Sequence, residues 1–133
     1  MSNDVVNHPS HYCDGRKVEP IQLFYSIGAS TLVNALKYLT RIGRKEVGKE
    51  IQDLEKAKFY VKYEYDHPIF EADRNIDIDY VSGVIKDDWK LEESIAKAFL
   101  AICMYMKDQE REHLLLAITY IEKEIEERGN QNE

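Results

Sequence analysis

Apolar residues return every three or four positions in four separate stretches of this chain, a period that a helix, not a strand, buries on one face. Leu32, Leu36 and Leu39 make the first stripe, and Ile51, Leu54, Ala57, Val61 and Tyr65 the second. Leu91, Ile95, Ala98, Ile102 and Tyr105 make the third, and Leu114, Ile118, Ile121 and Ile125 the fourth. The expected fold class is therefore all-α. It is a small helical bundle of two helical hairpins, with an N-terminal loop and a short extended connector. At 133 residues the chain suits a single core. Residues 1–66 and 67–133 are expected to be two halves of one compact domain.

Punctuation sets the boundaries. Residues 1–17 carry no period and hold Pro9 and Gly15, so they read as a loop. Pro20 suits the first turn of a short helix over Glu19–Ile27, which Gly28 ends. Ser30 is the expected N-cap of a helix to Ile42, with Gly43 just past its end. The next helix is expected over Lys49–Tyr65, closed by His67-Pro68. Residues 69–86 are expected to be an acidic connector. Within it Ile76-Asp77-Ile78-Asp79-Tyr80 alternates, which suits an extended linker or a short strand. Asp87 or Asp88 is the expected cap of the fourth helix, and the last helix is expected to fray at Gly129-Asn130. Asp53-Leu54, Ala57 and Tyr60-Val61 return sixty residues on as His113-Leu114, Ala117 and Tyr120-Ile121, a faint echo that core periodicity alone can produce.

Charge narrows the range of partners. The net charge is −7, which disfavours binding to long nucleic acids. Residues 1–66 hold ten Lys/Arg and nine Asp/Glu, a net of +1, whereas residues 67–133 hold eight and sixteen, a net of −8. The cations crowd into one window: Lys37, Arg41, Arg44, Lys45 and Lys49 against Glu46 alone. An anion bound there is expected to be small. No apolar run reaches a membrane span, and the N-terminus has no basic and apolar leader pattern. Two cysteines, Cys13 and Cys103, make no disulfide framework. A cytoplasmic location is expected.

Asn34, Lys37, Tyr38 and Arg41 fall at i, i+3, i+4 and i+7, on one face of the second expected helix. Asp53, Lys56 and Tyr60 share that spacing on the third. Packed antiparallel, the two faces border one groove. It would offer guanidinium and ammonium groups to phosphate, tyrosine rings to a base, and Asn34 and Asp53 to polar edges. A solvated helix face explains the same spacing. His8, His11 and Cys13 are close enough in sequence to suggest zinc, but no second ligand pair stands at a recognisable distance. No metal site and no cofactor are expected. Glu50-x-x-Asp53 resembles half of the magnesium cage of the all-α nucleoside triphosphate pyrophosphohydrolases. The neighbouring helix offers cations where that cage needs carboxylates. Glu92-Glu93 and the run Glu122–Glu127 read as solvated faces, and Phe99, Met104, Tyr105 and Met106 as core or a subunit contact.

Three blocks carry a resemblance: Asn7-His8-Pro9-Ser10-His11-Tyr12 with Gly15; Asn34-x-x-Lys37-Tyr38-x-x-Arg41-x-Gly43-x-Lys45; and Asp53-Leu54-x-Lys56-Ala57-x-x-Tyr60. Over residues 5–65 the chain resembles a phage and prophage family of unknown function. That family carries the label nucleotide kinase, after a T-odd coliphage nucleoside-monophosphate kinase without a P-loop. The resemblance implies a phage origin, a host-cell cytoplasm, a homo-oligomer and a nucleotide site. That site would comprise Asn7, His8, His11, Tyr12, Asn34, Lys37, Tyr38, Arg41, Arg44, Lys45, Asp53, Lys56 and Tyr60. Two functions from different classes follow. One is a non-catalytic sponge for a host immune nucleotide signal, a cyclic nucleotide or an ADP-ribose derivative. The other is a kinase making nucleoside diphosphates, whose base would be Asp53, His8 or His11. A third reading, from charge alone, is an adaptor whose acidic half binds a host protein.

Overall fold

The computed structural model describes residues 15–20, 23, 31–43, 47–68 and 71–131. Among these the chain is all-helical, without a strand: α1 (Thr31–Thr40), α2 (Val47–Asp66), α3 (Ile78–Gly83), a π-helical turn (Val84–Asp88), α4 (Glu93–Asp108) and α5 (Glu112–Gln131). The N-terminal loop as far as Asp14, most of the expected Glu19–Ile27 helix, Ser30 and residues 44–46 lie outside the described residues.

The stripes seen in the sequence become the core. Leu32, Leu36, Leu39, Leu54, Ala57, Val61, Phe99, Ile102, Leu114, Ala117 and Ile121 are all fully buried in one apolar cluster. Each such Leu, Ile, Val or Phe side chain contributes roughly 1.5–3 kcal/mol. α1 lies beside α2, α2 beside α5, α5 beside α4, and α4 touches α1, closing a four-helix ring. α2 and α5 run antiparallel. The Arg111 guanidinium donates to the Tyr65 carbonyl at one end, and Arg128 meets Glu50 at the other. The two echoed segments therefore occupy like positions in facing hairpins, with Leu54, Ala57, Val61 and Leu114, Ala117, Ile121 pointing into the same core.

Helix ends follow local chemistry. α1 stops two residues before Ile42, because Arg41 and Ile42 donate back only three residues, to Tyr38 and Leu39. Gly43 then turns left-handed at φ +86°, where a Cβ would strain the backbone. α5 does not fray at Gly129-Asn130. It continues to Gln131, since Arg128 in its last turns is tied to Glu124, Glu92 and Glu50.

The expected extended connector is mostly helix instead. Asp77 accepts the Tyr80 N–H at 3.0 Å, an N-cap that starts α3. Val81, Val84 and Ile85 then sit at helical spacing and are buried. Nor does Asp87 or Asp88 cap the fourth helix, which begins at Glu93. The Asp88 carboxylate turns to the N-terminal segment instead, accepting the N–H groups of Lys17 (3.0 Å) and Val18 (2.8 Å). Leu91, read as the first residue of that stripe, precedes the helix, and its N–H donates to Ile85 at 2.9 Å.

Trp89 completes this seam. Its indole N–H donates to the Val18 carbonyl at 2.7 Å. Arg16 lies over its ring at 4.7 Å and donates to the Thr40 carbonyl at 2.7 Å. Phe99 packs against the indole edge to face. Cys103 is fully buried on α4, and burial pushes its thiol up to about 12. Met104 stays exposed, while Phe99, Tyr105 and Met106 are core.

Asp88 gives a pH-dependent term. The two backbone N–H donors hold its carboxyl below the ordinary value of 3.8. Since the folded value is the lower one, this stabilisation is complete above about pH 5 and is lost as pH falls through the folded value. Asp88→Asn is expected to flatten the acid limb of stability against pH, read from urea midpoints at a series of pH values. Parallel limbs for the two proteins would remove this contribution.

Candidate functional site

The antiparallel pairing of α1 and α2 brings five of the expected site residues together. Tyr38 and Tyr60 stack with ring centroids 6.1 Å apart and planes 10° apart. The Arg41 guanidinium lies 5.7 Å from the Tyr38 ring centre and the Lys56 ammonium 5.4 Å. Two cations thus lie within reach of the Tyr38 ring. Beneath them Asp53, only 3% exposed, faces Arg41 at 3.9 Å. Asn34 is half-buried on the same α1 face and Lys37 is exposed beside it. The remaining expected residues, Asn7, His8, His11, Tyr12, Arg44 and Lys45, lie outside the described residues.

The arrangement differs from an open groove in one respect. The two tyrosines expected to hold a base are stacked on each other. Arg41 is half-buried beside the pair, and Lys37 and Lys56 are exposed.

The sequence reading missed the neighbours of this face. Phe59 packs edge to face on Tyr60 at 5.4 Å, Tyr63 lies 6.2 Å from Phe59, and His67 lies 4.7 Å from Tyr63. Phe59 is 62% exposed and Tyr63 44%. Their i, i+4 spacing was legible, but a stripe centred on Val61 gave no reason to single them out.

Glu50 also has a different use from the one considered. Its carboxylate accepts the Gly43 N–H and faces Arg128, so it braces the end of α1. Glu92 and Glu124 join the same guanidinium. Arg128 donates to both Glu92 oxygens at 3.0 and 3.1 Å and to Glu124. Burial disfavours the charge on Arg128, but Glu92, Glu124 and Glu50 outweigh it and raise its pKa. Glu124 is therefore buried, against the expectation of a solvated run, because Glu50 and Glu92 bring a shared cation inside. A second buried acid, Glu64, accepts the Tyr105 hydroxyl at 2.9 Å. Burial and then this carboxylate push the phenol up to about 12. Among the described residues no three His, Cys, Asp or Glu side chains are placed to hold a metal ion. No helix among them is long and apolar enough to cross a membrane.

Two cavities flank the Trp89 seam. One of about 560 Å³ is lined by Lys17, Tyr80, Asp87 and Lys90 among others. One of about 360 Å³ is lined by Arg16, Gly43, Trp89 and Glu92 among others. Neither includes Tyr38, Arg41, Lys56 or Tyr60.

A domain of the family described as a protein of unknown function, DUF3310, is found at residues 6–62. The match spans α1 and nearly all of α2, and so includes the stacked tyrosines and their cations. No curated protein and no solved structure matches the chain.

Proposed function

We propose that the α1–α2 face binds a small phosphate-bearing nucleotide and holds it without transforming it. The observation that supports this reading is the Tyr38–Tyr60 stack flanked by Arg41 and Lys56. Stacked rings suit a planar base, and cations beside them suit phosphate. Capture is preferred over turnover because Asp53, the carboxylate available as a base on this face, is buried and faces Arg41. In the setting implied by the family resemblance, the chain is a phage product in the bacterial cytoplasm. Its ligand there is a host immune signal, a cyclic nucleotide or an ADP-ribose derivative. The second reading, a nucleoside-monophosphate kinase, draws on that resemblance.

One experiment separates the two. The protein is mixed with nucleoside mono- and triphosphates, cyclic nucleotides and ADP-ribose isomers, then filtered. The retained fraction is heated and its small molecules are identified by chromatography. A ligand released unchanged supports capture, whereas new diphosphates establish a kinase. For a retained ligand, Arg41→Ala is expected to weaken binding by about 1.5–3 kcal/mol, the loss of a charge-assisted contact. Reversing the charges at Glu122 and Glu126 is expected to leave binding unchanged. Full affinity in a folded Arg41→Ala protein would remove Arg41 from the site.

A further inference from the structure

The outer face of α2 carries Glu55, Phe59, Lys62, Tyr63 and Asp66, all exposed. Phe59 stands at its middle and is the most exposed large apolar side chain among the described residues. Phe59, Tyr63 and His67 follow one another along this face with ring centroids 6.2 and 4.7 Å apart, and a contiguous exposed aromatic row, unlike a lone ring, marks a contact surface. The charges around it say what fits. Glu55 lies four residues before Phe59 and Lys62 three after it. Seven residues span about 10 Å along a helix, too far for this pair to meet within one chain. Neither makes an ion pair among the described residues.

We infer that this face is the contact between two copies of the chain, paired antiparallel about a two-fold axis at Phe59. In that arrangement Glu55 meets the partner's Lys62 and Lys62 meets the partner's Glu55, while the two Phe59 rings pack together at the axis. A parallel pairing would set Glu55 against Glu55 and Lys62 against Lys62, so the charges select the antiparallel one. Because Phe59 packs edge to face on Tyr60, the contact borders the α1–α2 face without covering Tyr38 by necessity. A single helix crossing buries less than a standard interface, so the dimer is weak and concentration-dependent. The inference stands apart from the nucleotide reading, since its readout is molecular mass and needs no ligand.

The test is sedimentation equilibrium of the full chain from low micromolar to submillimolar concentration. The wild-type protein is expected to pass from monomer to dimer over that range. Glu55→Lys and Lys62→Glu, each alone, set like charges against each other at both ends of the contact. Each is expected to weaken self-association about tenfold or more. The double variant Glu55→Lys/Lys62→Glu restores opposite pairs and is expected to return to wild-type association. These exposed positions spare the core, and circular dichroism confirms folding of each variant. A monomer throughout the range would overturn the inference, with Phe59 then free to contact a ligand or a foreign protein. So would a dimer that all three variants leave unchanged, or a double variant no better than the singles.

Discussion

Replacing Arg128 with alanine is expected to destabilise the fold by about 3–5 kcal/mol, the cost of breaking a buried ion pair from one side. Arg128 is 7% exposed and is the shared partner of Glu50, Glu92 and Glu124. Its loss leaves carboxylates crowded at one end of the bundle with their common cation gone. The change also releases the end of α1, because Glu50 accepts the Gly43 N–H. Arg128→Lys keeps the charge but cannot reach three carboxylates with one ammonium, so it should recover only part of the loss. Urea unfolding followed by circular dichroism measures both. A variant within about 1 kcal/mol of wild type would mean that the node relaxes into water and contributes as little as a surface pair.

Trp89→Ala is expected to cost about 3–5 kcal/mol, as for other large aromatics removed from a core. The indole fills the space beside Phe99, carries Arg16 on its face and holds the Val18 carbonyl through its N–H. Trp89→Phe keeps much of the volume but leaves Val18 without that donor, and about 1–2 kcal/mol should be lost. The chain has one tryptophan, so its fluorescence follows this seam directly. In the wild-type protein the fluorescence and circular dichroism transitions should coincide. An earlier fluorescence transition would mean that residues 15–18 detach before the four-helix core opens.

What the sequence made legible was whatever a helical period could encode. The stripes of α1, α2, α4 and α5 predicted which residues are buried, and Gly43 marked the end of α1. That the polar faces of α1 and α2 border each other followed from placing two short-linked helices antiparallel, but the stacking of Tyr38 with Tyr60 and the contact of Arg41 with Asp53 did not, because spacing along each helix says nothing of which side chains meet across the pair. Residues 78–88 were misread because Ile76 to Tyr80 alternates over only five positions. The decisive signal was Val81, Val84 and Ile85 just beyond. The start of α4 was misplaced because Asp88 has the chemistry of a cap but is taken by N–H groups 71 and 70 residues away. Glu124 looked solvated for a similar reason. Its i, i+4 spacing to Arg128 was visible, but the burial comes from Glu50 and Glu92, which no local pattern joins to it.

The position of Cys103 has a practical consequence. A thiol that is fully enclosed and held up to about 12 presents almost no thiolate to an alkylating reagent in the native state. Reaction then waits for α4 to leave its neighbours, so each modified Cys103 records one opening of the bundle. With Cys13 changed to serine, the modification rate under native conditions becomes a clock for that opening, free of denaturant and of any optical signal.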